Sequence, residues 1–142
     1  MSNVAVLPEG RKFFAERVVG TDACINGIYV EYMDCACNSP EGRGPAYFED
    51  LIKKEHAGYG RIAVRDVVLD KDGNIKVTGV FTSSDPKGGR INKDTKIVAA
   101  TLVYMKDDVA FNDRFLYTAL LPTPMKIVKG VYMSITVGIT IG

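Results

Sequence analysis

Residues 131–141 read Val-Tyr-Met-Ser-Ile-Thr-Val-Gly-Ile-Thr-Ile, and this stretch decides the predicted fold. Successive side chains of a β-strand point to opposite faces, so an apolar residue at every second position places one face in a core. β-branched residues, which suit a half-buried pleated surface, dominate the stretch. It therefore predicts a long C-terminal strand whose core-facing residues are Val131, Met133, Ile135, Val137, Ile139 and Ile141.

Residues 61–69 and 75–81 predict an antiparallel hairpin that extends the same alternating pattern. Between them lies Asp70-Lys71-Asp72-Gly73, a composition that is common in hairpin turns. Midway along residues 61–69, the apolar side chains change from even-numbered to odd-numbered positions. One extra residue in a strand produces such a change, so we expect a β-bulge near Asp66.

Two further segments, residues 97–104 and 115–121, are apolar on both faces, which is typical of central strands that are covered on both sides. Residues 28–32 are another strand candidate. Only the residues after Pro45 read clearly as a helix, because apolar side chains recur there at helical spacing. A weaker helical pattern follows Pro8.

These elements predict a mainly β fold, an antiparallel β-sandwich or jelly-roll-like barrel with one short helix, in a single β-rich domain spanning residues 1–142. A chain of 142 residues can bury about two thirds of its unfolded surface, so its core needs no metal or disulfide. Its 18 basic and 17 acidic side chains give a formal charge of +1 without a long basic run, and we expect no direct nucleic-acid partner. Apolar stretches fall short of the ~20 residues that span a bilayer, and Pro8 interrupts the N-terminus before a signal sequence forms. We therefore expect no membrane contact and a cytoplasmic origin.

Chemically reactive side chains are scarce, since the chain has one His and three Cys. Cys24, Cys35, Cys37 and His56 are soft ligands of the kind that Zn²⁺ takes in fours, but their spacing lacks the paired knuckles of zinc motifs. His56 lies where the predicted helix is about to end, a place where a cation is favourable, and the sequence brings neither Glu55 nor Cys37 within its reach. We therefore predict no catalytic residue, no cofactor and no metal. A small metal-binding enzyme built on these four residues is the least favoured alternative.

Three polar segments are predicted loops, namely residues 34–45, 82–96 and 106–114. The third carries Asp107, Asp108 and Asp113, which could surround a hard cation, although we expect a solvated loop there. The second lacks the spacing of phosphate-binding loops. The cations of residues 82–96 are candidates for contact with an acidic partner. These partner-binding candidates are Lys87, Arg90 and Lys93.

Four stretches resemble small structural proteins encoded among bacteriophage head and tail genes, namely residues 7–21, 25–32, 47–51 and 59–64. The second half of the chain is similar in pattern to the β-rich attachment domains of phage tail fibres. That pattern comprises paired strands, a proline-containing crossover at Pro122 and Pro124, and a long alternating last strand. The resemblance covers nearly the whole chain, but it consists of strand and turn patterns, so no functional residue carries over from it.

The resemblance implies a non-enzymatic structural protein of the virion, present in many copies and assembled in the host cytoplasm. The chain ends at Gly142, directly after the last strand and without a fibrous repeat. We therefore expect a capsid decoration (cement) protein, a homo-oligomer that binds the major capsid protein and stabilises the shell through many repeated contacts. The alternative is a tail, tail-fibre attachment or head-to-tail component, which would bind tail or tail-fibre proteins instead.

Overall fold

The computed structural model describes residues 4–20, 24–32, 44–53, 59–81, 96–127 and 132–140. Within these ranges lie two α-helices, α1 (Pro8–Val19) and α2 (Pro45–Lys53). The strands are β1 (Val4–Val6), β2 (Gly27–Tyr32), β3 (Tyr59–Leu69), β4 (Asn74–Phe81), β5 (Lys96–Tyr104), β6 (Arg114–Lys126) and β7 (Met133–Thr140). The predicted mainly β class is confirmed.

The seven strands form one sheet in the order β1-β6-β5-β2-β3-β4-β7. Each neighbouring pair is antiparallel, and the sheet curls into a half-barrel. This architecture agrees with the predicted sandwich or barrel-like fold. Of the two strands predicted to be central, β5 lies beside β2 in the middle of the sheet and β6 lies between β5 and the edge strand β1; β7 is the other edge.

The alternation that predicted the last strand is present in β7. Ile135, Val137 and Ile139 are at most 5 % exposed, whereas Ser134 and Thr136 are exposed to solvent. The odd-numbered side chains therefore face the core, because burying each apolar side chain stabilises the fold by about 1.5–3 kcal/mol.

The predicted hairpin and its bulge are also present. β3 and β4 pair in antiparallel register and are joined by a turn that ends at Gly73. The φ angle of Gly73 is +82°, a conformation that costs glycine little and other residues more. The register shifts between Val64 and Asp66, where the sequence predicted one extra residue.

Both faces of the central strands are covered. On the inner face of the half-barrel, Ile28 and Val30 of β2 join the main core with residues from the other long strands. On the outer face, Tyr29 of the same strand packs with Phe48 and Leu51 of α2. This two-sided burial explains why β2 and β5 lack a simple alternation of apolar and polar residues.

Two helices are present where the sequence predicted one. α1 packs on β6 through Phe13, which contacts Leu116, and through a very close backbone approach at Gly10. A Cβ atom at Gly10 would lie 1.9 Å from the Leu116 carbonyl oxygen. A helix that docks through a glycine and few apolar side chains has weak apolar periodicity, and for this reason the sequence after Pro8 carried only a weak helical pattern.

β6 continues through the prolines at which the sequence predicted a crossover. Ala99 pairs with Leu120, and Ile97 pairs with Met125, so the residues between Leu120 and Met125 form an irregularity in the β5–β6 register. Proline lacks an N–H donor but is tolerated at bulges and on edges. The strand therefore accommodates Pro122 and Pro124 and ends at Lys126.

Candidate functional site

The predicted partner-binding cations lie outside the described residues. Lys87, Arg90 and Lys93 fall between the end of β4 at Phe81 and the start of β5 at Lys96. These two strand ends lie at the same end of the antiparallel sheet. The assignment of the three cations stays a prediction.

Of the four candidate metal ligands, the structure describes only Cys24, an exposed free thiol. Cys35, Cys37 and His56 lie outside the described residues. Among the residues that the structure does describe, no three His, Cys, Asp or Glu side chains are grouped so that they could hold a metal ion. The expected absence of a metal stays a prediction.

A groove of about 560 Å³ lies on the outer face of the sheet, where the starts of α1 and α2 meet the segment between β5 and β6. Its lining is mainly apolar and aromatic and includes a few polar side chains. Residues that line it include Pro8, Pro45, Phe48, Phe111, Asn112 and Phe115. Mostly apolar concave surfaces with a few fixed polar groups are typical of binding sites, so this groove is the candidate functional site.

Beneath the groove lies a buried ion pair between Arg61 of β3 and Asp113. Arg61 Nε donates to Asp113 Oδ2 and Arg61 Nη2 to Asp113 Oδ1, both at 2.7 Å. The two side chains are 5 % and 0 % exposed. The Tyr29 hydroxyl also donates to the Asp113 carboxylate. A planar guanidinium that meets a carboxylate in this bidentate way fixes both position and orientation.

The surroundings of the pair keep its members in one protonation state. Hydrogen bonding to Asp113 raises the pKa of Arg61 above its ordinary value. Burial, followed by the hydrogen bond to Asp113, raises the pKa of Tyr29 well above the usual range of a phenol. The guanidinium therefore stays charged and the phenol stays protonated across the physiological pH range.

In the aspartate-rich segment Asp107 and Asp108 are exposed, as expected of a solvated loop, but Asp113 is buried, which corrects the expectation for that residue. Both oxygens of this carboxylate accept hydrogen bonds from the Arg61 guanidinium, which occupies the place that a metal cation would take. Asp107 closes a local turn, because its side chain accepts from the Val109 N–H at 2.8 Å and from Asn112 Nδ2 at 3.0 Å. The Val109 N–H bond lowers the pKa of Asp107. The third residue, Asp108, is exposed.

Two distant side chains hold the segment 105–113 against the body of the protein. Arg61 Nη2 donates to the Asp107 carbonyl oxygen at 2.6 Å. Asn26 bonds Met105 twice, donating from Nδ2 to the carbonyl oxygen at 2.9 Å and accepting from the backbone N–H at 2.6 Å. A 3-10 turn at Ala110–Asn112 completes the segment. These contacts fix its backbone.

The fixed segment carries two large apolar side chains that face solvent. Val109 is 50 % exposed and Phe111 is 57 % exposed. Below them, the rings of Phe48 and Phe115 are stacked with centroids 4.1 Å apart, and Tyr29 contacts Phe115 edge-on at 5.0 Å. The groove thus has an aromatic floor and an exposed aromatic rim.

Other charged groups near the groove connect its elements to one another. Arg114 donates to Glu9 at 2.9 Å and to Glu16 at 2.8 Å, which ties α1 to the start of β6. Hydrogen bonding to Arg114 lowers the pKa of Glu16. Buried Glu31 accepts from the Tyr47 hydroxyl at 2.5 Å and so ties α2 to β2. These contacts connect both helices to the sheet.

The sequence did not identify Arg61 and Tyr29 as the partners of Asp113 beneath the groove. A lone arginine in an apolar strand is a weak signal, because arginine stems often lie along apolar surfaces with the charge in water. Asp113 lies 52 positions from Arg61 along the chain, and only the fold brings the two together.

Comparison with known proteins does not place the chain in a family: no family model, no curated protein and no solved structure matches it. Neither helix in the described part of the chain has the length and apolar character needed to cross a membrane.

Proposed function

We propose that this protein is a non-enzymatic structural protein of a bacteriophage virion, and more specifically a capsid decoration protein that binds the major capsid protein as a homo-oligomer. The sequence resemblance described above supports the virion role. The structural observation that carries the binding role is the segment 105–113, which presents Val109 and Phe111 to solvent from a backbone held by hydrogen bonds to Arg61 and Asn26.

Fixed apolar side chains favour tight binding. Single exposed apolar residues are ordinary on protein surfaces. Here, however, buried Arg61 and the Asn26 side chain order the segment before any partner arrives. Binding then costs little conformational entropy, and aromatic anchors such as Phe111 commonly contribute most of the binding energy of an interface.

A second group of exposed apolar residues lies at the same end of the sheet. Val67, Val68 and Leu69 at the end of β3 are 50 %, 46 % and 70 % exposed. β3 and β5 are both antiparallel to β2, so they run in the same direction and the segment 105–113 follows β5 at that end. We refer to this end as the apolar end and infer that it faces the shell.

The test is to mix purified protein with phage particles that lack it and to measure occupancy and resistance to heat. Phe111→Ser should reduce affinity for particles at least tenfold, since truncation of an aromatic anchor removes roughly 2 kcal/mol or more. Tyr132→Ser is the matched control, because Tyr132 is 74 % exposed but directly precedes β7, at the opposite end of the sheet. It should bind like the unchanged protein.

Charge reversal tests the predicted cations separately. Changing Lys87, Arg90 and Lys93 to Glu should weaken attachment, and more strongly at low salt, because exposed charges are screened as ionic strength rises. The isolated fold should stay intact. A protein that ignores capsids but co-purifies with tails would refute the decoration role and assign the tail or head-to-tail role instead.

A further inference from the structure

The half-barrel has an open seam between β6 and β7. A cleft of about 300 Å³ is lined on one side by residues of β6, among them Leu120, Leu121 and Met125, and on the other by Ser134–Gly138 of β7. Both the inward-facing and the outward-facing residues of that part of β7 line it. The cleft therefore runs along the edge of the strand rather than over one of its faces.

The backbone of β7 directs a row of hydrogen-bonding groups into this seam. The Asp70 N–H donates to the Asn74 carbonyl oxygen, so the even-numbered residues of β4 direct their backbone groups toward β3. The odd-numbered residues of β4 then bond β7, where they lie opposite odd-numbered residues such as Ile135 and Val137. The N–H and C=O groups of Ser134, Thr136 and Gly138 consequently point toward the seam. No strand of the described chain pairs with that edge.

The two edges of the sheet differ in how well they are protected against pairing with a further strand. At the other edge, β1 is three residues long, and β6 beyond its contact with β1 carries Pro122 and Pro124. Short strands and prolines are common devices that prevent unwanted strand pairing. β7 has eight residues, no charge, no proline and no register shift against β4. An edge with none of these devices is a template for another strand.

We propose that the seam accepts an extended, uncharged segment of a partner chain, which adds to β7 as a further strand. No charged side chain is among the residues that line the cleft, so a charged insert would find no counter-ion there. Backbone pairing would supply affinity, and alternation of apolar and small polar residues in the insert would match the two faces of β7. In terms of the proposed function, on which this assignment of the partner rests, the segment is an arm of the shell protein.

The test uses a fluorescein-labelled peptide of three Thr-Val repeats with a lysine at each end, measured by fluorescence anisotropy. Gly138 is the residue to change, because an added Cβ meets no atom within 4 Å and its backbone conformation is open to any residue. Gly138→Lys should weaken binding of the peptide at least tenfold, since charged side chains on an edge strand, lysine above all, oppose the addition of another strand. Gly138→Gln, of similar length but neutral, should retain binding.

A second pair of variants tests the backbone groups. Thr136→Pro removes an N–H that points into the seam and should abolish binding, while Thr136→Val retains that N–H and should bind. Both lose the same contact with the Thr78 hydroxyl, so they are matched. Thermal unfolding establishes whether each variant is folded. If Thr136→Pro does not fold, the comparison of Gly138→Lys with Gly138→Gln decides the result. Failure of the peptide to bind the unchanged protein, or equal binding by Gly138→Lys, would overturn the proposal.

Amide hydrogen exchange separates this proposal from the function. On decorated particles the amides of Ser134, Thr136 and Gly138 should exchange at least tenfold more slowly than in the free protein. If the protein decorates particles and these amides stay unprotected, strand addition is refuted and the decoration role stands. If the peptide protects these amides but the protein does not bind particles, the seam accepts a strand and the proposed function is wrong.

Discussion

At the scale of single residues, Arg61 and Asp113 decide how the outer face is built. Arg61 connects β3 with Asp113 through two hydrogen bonds and with the Asp107 carbonyl through a third. A buried guanidinium is costly unless its donors find acceptors, and here the segment 105–113 supplies acceptors for Nε and Nη2. The same atoms therefore stabilise the fold and present Phe111 at the surface.

Removing one partner of this pair should destabilise the protein strongly. Arg61→Met leaves the Asp113 carboxylate buried without its counter-ion, and we expect the free energy of unfolding to fall by about 3–5 kcal/mol in chemical denaturation. Arg61→Met combined with Asp113→Leu should recover part of that loss, because an apolar pair of similar size needs no counter-ion. Lys53→Met, which breaks an ion pair with Glu49 in which both side chains are largely exposed, should change nothing measurable. A loss below 1 kcal/mol in the single variant would show that the pair is not structural.

The cysteines lead to a second prediction at this scale. Their odd number and poor spacing predict three free thiols and no stoichiometric metal. Elemental analysis and thiol titration of purified protein measure both quantities. One zinc per chain, lost together with the fold when Cys35 and Cys37 are changed to Ser, would contradict the prediction and support the metal-binding alternative.

At the scale of elements, β7 and α1 represent two ways of attaching a segment to the sheet. β7 buries Ile135, Val137 and Ile139 against the inner core. α1 instead approaches β6 so closely at Gly10 that no side chain fits between them. The first attachment depends on apolar area and the second on the absence of a Cβ atom, so they should respond to different substitutions.

Deleting residues 131–142 should leave an insoluble or unfolded product. Burial of Ile135, Val137 and Ile139 stabilises the fold by roughly 5–9 kcal/mol in total, which is comparable with the whole stability of a domain. A single change, Ile139→Ala, should cost about 2–5 kcal/mol, with exposed Ser134→Ala as the control. A truncated chain that remains soluble and unfolds at the original temperature would refute the role of the strand.

Gly10→Ala should weaken the attachment of α1. The new methyl group would lie far inside contact distance of the Leu116 carbonyl, and overpacking of this kind typically costs about 1–3 kcal/mol. Gly138→Ala is the matched control, since its Cβ meets nothing within 4 Å. Thermal unfolding compares the two, and equal midpoints would show that α1 moves away from β6 without cost.

At the scale of the whole molecule, stability should depend on pH through carboxyl groups distributed over the surface. The pKa values of Glu16, Asp70 and Asp107 are all lowered in the folded protein, the first chiefly by Arg114 and the others by backbone N–H groups. Because the folded pKa lies below the unfolded one, the unfolded chain binds more protons in acid, and stability rises with pH through that range.

We expect the unfolding midpoint to be constant near neutral pH and to fall as the pH drops below about 4, the ordinary carboxyl range. Glu16→Gln should reduce the acid slope. On the alkaline side, burial raises the pKa values of Tyr29, Tyr59 and Tyr117, so the unfolded chain loses phenol protons at about pH 10 before the folded one does. Stability should therefore fall above that pH. Thermal unfolding followed by circular dichroism from pH 2 to 11 measures both the acid and the alkaline loss of stability.

The sequence by itself determined the local elements. Period-two alternation predicted β7, the turn composition predicted the β3–β4 hairpin, and two-sided apolar character identified β5 as central. These features depend on neighbours within a few residues, so a linear pattern records them. The resemblance and composition also led to the virion role, which stays a proposal.

Only the tertiary structure decided the curl of the sheet, the position of α1 and the Arg61–Asp113 pair. Arg61 and Asp113 meet across 52 positions of sequence, and Arg114 meets Glu9 across 105. Such contacts form only after strands from both halves of the chain lie side by side, and no local pattern records which distant groups will then be opposite. The open seam is also a tertiary feature, because whether β7 is an edge depends on which strands pair with it in the folded sheet.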